Sequence, residues 1–163
     1  MVSVIKENIM DSGENFIVIP VCPSLSLHGK MYEDIFSTYP HVQRECMKYA
    51  RYCDKKKVLV HGKAQFIPTE VWAFTMVDPV KNESVSAYDS FYQYIVPIYC
   101  CDERLFINMA SFESGLRQVC DRAKDINASV AIALINPKIQ SAIQNIADEV
   151  FSNSNLDVVI CKQ

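Results

Sequence analysis

The chain has 163 residues, of which 50% are hydrophobic and 21% charged, and its formal net charge at pH 7 is −3. This size and balance predict a single globular domain spanning residues 1–163, rather than a disordered or fibrous chain. The acidic charge argues against a nucleic-acid backbone as partner, and no apolar stretch approaches the roughly 20 residues of a membrane-spanning helix.

The cysteines indicate an intracellular, reducing location. There are seven of them, most fall inside predicted strands or helices, and no pair has the C-x-x-C spacing of a zinc or redox centre. The N-terminal residues also lack the pattern of a secretory signal. We therefore expect reduced thiols, no metal, no cofactor and a cytoplasmic protein. A small intracellular chain of this kind would suit a virus or a mobile element.

The first half of the chain predicts two strands followed by a long helix. Val2 to Ile5 is the first readable strand, and Phe16 to Cys22 is apolar throughout, which is typical of a strand buried on both faces. A loop from Pro23 to Gly29 leads into a helix between Met31 and Ala50, where apolar residues recur three and four apart. Pro40 predicts a break in that helix. Three further strands are predicted at 58–60, 64–67 and 71–77, before an exposed connection at 78–90.

The second half alternates strands and helices. Phe91 to Ile98 is ambiguous, because its aromatic spacing suits a helix whereas its end looks extended; we predict a short helix. Leu105 to Met109 predicts a strand, and Ser111 is the expected cap of a clear amphipathic helix. Ser129 to Ile135 predicts a second fully buried strand. A helix from 139 to 151 and a last strand from 156 to 161 complete the pattern.

This alternation predicts an α/β fold with parallel neighbouring strands and helices on both faces of the sheet. Ligands in such folds bind beyond the carboxyl ends of the strands. Two loops qualify, Pro23 to Lys30 and Asn136 to Gln144, and each leads into a helix whose free N–H groups favour an anion.

The first of these loops carries a family resemblance. His28-Gly29-Lys30-Met31 is followed at a matching distance by Tyr39-Pro40. Later, 111–124 looks like a long central helix and 129–150 like a strand, phosphate loop and last helix. The order resembles the macro domain family, especially its branch acting on ADP-ribose 1''-phosphate, over nearly the whole chain.

The resemblance implies a three-layer α/β/α sandwich with a mixed, mostly parallel sheet that binds ADP-ribose. Asn8 stands in the place of the family's adenine-contacting aspartate, with Ile9 beside it. The implied ligand-binding residues of the two loops are Ser24, Ser26, His28, Gly29 and Lys30 in the first, and Ile139, Gln140, Ser141 and Ala142 in the second.

Within this set, His28 is the candidate catalytic residue, because imidazole titrates near neutral pH and serves as general acid or base. Lys30 offers a point charge to a phosphate. The alternatives are a histidine that packs locally and an exposed lysine in a first helical turn. The serines are equally suited to ordinary turns and caps.

The chain also departs from the family pattern. Pro23 and Ser24 stand where an asparagine is usual, and the second loop has Gln140 and Ala142 where glycines let the backbone approach phosphate. An alternative function is therefore an inactive macro-like module that acts as a protein-binding scaffold or inhibitor. Trp72, Phe66 and Phe74 could form an aromatic ligand platform, but core packing is the favoured interpretation. The residues at 102–104 predict a solvated turn, unless the chain folds back so that a carboxylate there reaches the pocket.

Overall fold

A computed structural model describes residues 2–70 and 93–163 of the chain. The strand predicted at 71–77 and the connection at 78–90 lie outside the described residues, as do Trp72, Phe74 and Phe91. No helix in the described ranges has the length and hydropathy needed to cross a bilayer.

The described strands form one six-stranded sheet in the order β1-β6-β5-β2-β4-β3. Adjacent strands run parallel, except that β3 pairs antiparallel with β4. The sheet is therefore mixed and mostly parallel, as predicted. The strands are β1 (Val2–Lys6), β2 (Phe16–Val21), β3 (Ile67–Pro68), β4 (Tyr94–Tyr99), β5 (Val130–Leu134) and β6 (Val158–Lys162).

Helices cover both faces of this sheet. The α-helices of the described residues are α1 (Lys30–Thr38), α2 (Pro40–Lys55), α3 (Met109–Ile126) and α4 (Gln140–Val150), with 3₁₀ turns at Ile9–Asp11 and Pro137–Ile139. The break between α1 and α2 falls at Pro40, as predicted, because proline fits the first position of a helix but not its interior.

The alternation of side chains along β2 explains the three layers. Phe16 and Val18 point to one face, where they join the core under α3 and α4. Ile17, Ile19 and Val21 point to the other face and pack with α1 and α2. Since β2 is buried along its whole length, its sequence has no polar face, which is why it reads as a continuous apolar run.

The prediction of a short helix at Phe91 to Ile98 was wrong for the described part of that segment. Tyr94–Tyr99 is strand β4, buried at every position between β2 and β3. Pro97 would remove a hydrogen bond and clash inside a helix, whereas in β4 it stands opposite Ile19. Aromatic and β-branched residues pack well in such a buried strand.

The predicted strand at 58–60 was also wrong, because this segment follows the C-terminal turn of α2 and leaves the sheet. Lys57 has a left-handed backbone with φ of 57°, and the Val58 N–H donates to the Cys53 carbonyl at 2.8 Å. That pattern closes a helix C-terminus. Leu59, 73% exposed, then follows outside the sheet. Of the strand predicted at 64–67, Ile67 begins β3, whereas Ala64 forms an isolated bridge to Ile98.

The strand predicted at Leu105 to Met109 is a loop. Only Ile107 bridges, to Cys101, and Met109 already begins α3. The cap of α3 is Asn108 rather than the predicted Ser111: the Asn108 side chain accepts a hydrogen bond from the Ser111 N–H at 2.9 Å. An asparagine three residues upstream of this N–H satisfies it as a serine cap would.

Candidate functional site

The carboxyl ends of the parallel strands meet at one edge of the sheet, and a cleft of about 440 Å³ opens there. Three segments line it: 28–32 after β2, 104–106 after β4, and 135–136 after β5. Gln163, directly after β6, completes the wall. This is the edge at which ligands bind in open α/β sheets.

The first wall is the loop between β2 and α1. Gly29, the residue before α1, has φ of 110° and ψ of 157°, a conformation essentially reserved for glycine. No side chain among the described residues caps this helix, and the first N–H groups of any α-helix lack partners within the helix. Below them, the Tyr32 hydroxyl donates to the Pro20 carbonyl, and burial raises the pKa of Tyr32. The first wall therefore offers backbone N–H donors at the start of α1, which the Tyr32 hydrogen bond attaches to β2.

The second wall is the loop between β4 and α3, which the Asp102 side chain shapes. Its Oδ1 accepts from the Arg104 N–H at 2.9 Å and from the Phe106 N–H at 3.0 Å. Leu105 has a left-handed φ of 63°. Aspartate commonly folds a turn in this way. The turn brings Arg104 and Phe106, which is 61% exposed, to the cleft.

The charge of the cleft is positive. Among the described residues that line it, His28, Lys30 and Arg104 carry basic groups and none is acidic. Arg104 forms no ion pair with another described residue. The Lys30 ammonium lies 2.8 Å from Asp34 Oδ2, and this hydrogen bond raises the pKa of Lys30. The cleft thus suits an anion. To bind one, the Lys30 ammonium must leave the Asp34 carboxylate and donate to the anion instead.

The third side of the cleft is the turn between β5 and α4, whose N–H groups form hydrogen bonds within the turn itself. Asn136 Oδ1 accepts from the Lys138 N–H at 3.0 Å, the Asn136 carbonyl accepts from Ile139, and the Pro137 carbonyl accepts from Gln140. Pro137 has no N–H to offer. This turn therefore does not form the phosphate-binding loop that a glycine-rich sequence would form.

A second cleft, of about 410 Å³, adjoins the first and shares Lys30, Met31 and Gln163 with it. It lies at the ends of β1 and β6. Asn8 lines it, and its Oδ1 accepts from the Met10 N–H at 3.0 Å. Ile9 is fully buried, and its N–H donates to Gln163 Oε1 at 3.2 Å.

The structure brings together some of the residues that the sequence singled out. His28, Gly29 and Lys30 line the first cleft, and Asn8 lines the second. Ser24 lies on a separate cavity beside Arg51. The remaining candidates are not among the residues lining either cleft; they are Ile9, which is fully buried, and Ser26, Ile139, Gln140, Ser141 and Ala142.

Two parts of the site were missed from the sequence. The loop carrying Arg104 and Phe106 was interpreted at 102–104 as a solvated turn, although Asp102 followed by an N–H two residues on is a known turn signal. Gln163 contacts residues more than 150 positions away in the chain, and no local pattern shows such a contact.

Comparison with known proteins identifies the fold. No family model matches the chain, and no curated protein matches it. Among solved structures, it is similar to a macrodomain protein from Streptomyces coelicolor, with a TM-score of 0.68, 15% identity, and coverage of 100% of this chain and 99% of that one. The DarG macrodomain of Thermus aquaticus has a TM-score of 0.64 and 15% identity, covering 100% and 98%. The DarG macrodomain of Mycobacterium tuberculosis has a TM-score of 0.65 and 15% identity, covering 99% and 97%. The chain therefore has the fold of macrodomains.

Proposed function

We propose that this chain binds ADP-ribose or a related phosphorylated nucleotide across the two adjoining clefts. The observation that supports this most directly is the first cleft: two loops at the carboxyl edge of the sheet supply basic side chains, and no described residue lining it is acidic. Each cleft has a volume in the range typical of small-molecule sites.

The phosphates belong in the first cleft. The free N–H groups at the start of α1 favour an anion, and Gly29 places no side chain between them and a ligand: an added Cβ would meet no other atom within 4 Å. Lys30 supplies a point charge from one wall, and Arg104 supplies a guanidinium that can bind phosphate with two N–H groups from the other. The base then falls in the second cleft, beside Asn8 and Ile9.

Hydrolysis is the second part of the proposal. A water that attacks a terminal phosphate, or the bond to an ADP-ribosyl group, needs a group that accepts its proton or that protonates the leaving oxygen. His28 is exposed on the rim of the cleft and is the proposed general base or acid. Lys30 and the loop N–H groups would stabilise the charge that develops on phosphate.

Calorimetric titration with ADP-ribose tests the binding. We expect micromolar affinity for the wild type and a loss of about 10- to 100-fold for Arg104→Ala, since hydrogen bonds to charged groups contribute about 1.5–3 kcal/mol. A smaller loss is expected for Lys30→Ala, because the Lys30 side chain is 83% exposed. Lys48→Ala and Arg44→Ala are matched controls, because both side chains are exposed on α2 away from the clefts. The controls should bind like the wild type.

The alternative outcomes separate the parts of the proposal. A well-folded wild type that binds no ADP-ribose would refute it. Equal losses in the α2 controls would show a general charge effect instead of a site. If binding holds, release of phosphate from ADP-ribose 1''-phosphate is measured for the wild type and His28→Ala; hydrolysis that is unchanged in this variant would remove His28 from the mechanism.

A second candidate function is a protein-binding scaffold or inhibitor with this fold and without catalysis. The turn at 136–140 favours it, because its N–H groups bond within the turn. The same titration distinguishes the two functions: absence of nucleotide binding by the folded protein, together with capture of a protein partner that Phe106→Ala weakens, would favour the scaffold.

A further inference from the structure

The side chain of Gln163 makes three hydrogen bonds to backbone groups at the ends of β1 and β6. Its Oε1 accepts from the Ile9 N–H at 3.2 Å. Its Nε2 donates to the Glu7 carbonyl at 3.2 Å and to the Cys161 carbonyl at 2.9 Å. The carboxamide is therefore satisfied on both its donor and its acceptor side, although Gln163 is exposed.

This carboxamide lies where the proposed nucleotide would bind. Gln163 lines both clefts, so its side chain lies where the proposed ligand passes from phosphate to base. The backbone groups that it holds, the Ile9 N–H and the Glu7 carbonyl, form a donor and an acceptor beside one another. The Asn8 side chain is turned toward its own chain, since its Oδ1 accepts from the Met10 N–H.

A nucleobase edge offers the complementary pair. Adenine carries the ring acceptor N1 beside its exocyclic amino donor, and a carboxamide carries a carbonyl acceptor beside an amino donor. A base can therefore replace the carboxamide of Gln163 group for group. Without such a replacement, displacing Gln163 would leave the Ile9 N–H and the Glu7 carbonyl to solvent.

We propose that Gln163 occupies the base subsite of its own protein, and that a nucleotide binds there by exchanging the edge of its base for this carboxamide. This inference rests on the proposed function for the position of the ligand. Gln163 then sets affinity through competition: only molecules whose Gln163 has left the subsite bind the base, and the apparent affinity is the intrinsic affinity multiplied by the fraction of molecules that are open.

The test compares the wild type with Gln163→Ala, using three ligands. For ADP-ribose, we expect the variant to bind about three- to tenfold more tightly, because its subsite is always open. For ribose 5-phosphate, which has no base, we expect equal affinities. Adenosine, which has no phosphate, should shift the Ile9 amide resonance at lower concentration in the variant. Gln144→Ala on α4 is the matched control and should behave as the wild type with all three ligands.

The outcomes distinguish this inference from the proposed function. If ADP-ribose and ribose 5-phosphate fail to bind but adenosine still binds the variant more tightly, the base subsite is supported and the proposed phosphate site is refuted. If ADP-ribose binds the wild type and Gln163→Ala equally, or binds the variant more weakly, competition by Gln163 is refuted. Hydrogen exchange at the Ile9 N–H provides a ligand-free measure: it should be faster in Gln163→Ala, and an unchanged rate would refute the contact itself.

Discussion

The loop from Cys22 to Gly29 and the turn from Ile135 to Ile139 stand at equivalent places in the fold. Each follows a strand buried on both faces, each leads into a helix, and both contribute to one cleft. They differ in what they do with backbone N–H groups. The first ends at Gly29 and leaves the start of α1 uncapped, whereas the second closes on itself through Asn136 and Pro137.

The difference shows that one or two residues decide whether the backbone N–H groups just before a helix are available to a ligand, since neither α1 nor α4 has a side-chain cap among the described residues. A residue without a side chain, in a conformation open only to glycine, exposes the N–H groups of α1. A capping asparagine and a proline satisfy or remove the N–H groups ahead of α4. Two loops with the same position in an α/β sheet can therefore differ in the backbone N–H groups that they leave for an anion.

Gly29→Ala is expected to have the largest effect on this comparison. The φ of 110° and ψ of 157° at Gly29 cost an L-residue about 1–3 kcal/mol, so either the free energy of unfolding falls by that amount or the loop moves. In both cases ADP-ribose binding should weaken. Urea denaturation and calorimetric titration measure the two effects.

Gly13→Ala is the matched control for that variant. Gly13 is exposed and does not have a positive φ. A Cβ added there would meet no atom of the described residues within 4 Å. Its substitution should change the free energy of unfolding by less than about 0.5 kcal/mol. Equal destabilisation by the two substitutions would show that the conformation of Gly29 does not constrain the first loop.

Asn136→Ala should have the next largest effect, because it opens the second turn. Loss of the cap on the Lys138 N–H is expected to lower the free energy of unfolding by about 1 kcal/mol. Asn108→Ala, which removes the corresponding cap from α3, provides the control and should cost a similar amount. If the uncapped turn binds phosphate as the first loop does, ADP-ribose affinity rises only in Asn136→Ala. Unchanged affinity would show that Pro137 and the backbone hydrogen bonds of the turn keep it closed without the Asn136 side chain.

The parts of the fold that were predicted correctly are those whose signal is local. Phe16 to Val21 and Val130 to Leu134 are apolar at every position, which indicates a strand covered on both faces. The helices show apolar residues three and four apart. β4 was missed because Tyr94–Tyr99 contains a proline and has a spacing that also suits a helix. Its pairing with β2, which decides the matter, lies far away in sequence.

The error at β4 also hid half of the candidate site. Because 91–98 was predicted as a helix, the loop carrying Arg104 was not placed at the carboxyl edge of the sheet. The second binding loop was assigned to 139–142 because it follows the buried strand predicted at 129–135 and because of the family resemblance. His28, Gly29 and Lys30 line the first cleft, and they were selected because they follow a strand with a clear signal. Their roles in binding or catalysis remain predictions for the titrations to test.

Asp34→Asn should have the smallest effect. It tests whether the ion pair between Asp34 and Lys30 limits the binding of an anion at the first loop. Asp34 holds the Lys30 ammonium at 2.8 Å and raises the pKa of Lys30, so the substitution should lower that pKa, as NMR titration can measure. It also frees Lys30 for phosphate, and we expect ADP-ribose to bind about twofold more tightly, as suits one exposed ion pair. Glu113→Gln breaks a similar pair with Arg117 on α3 and should leave affinity unchanged. Weaker binding by Asp34→Asn would mean that Asp34 positions Lys30 for the ligand rather than competing with it.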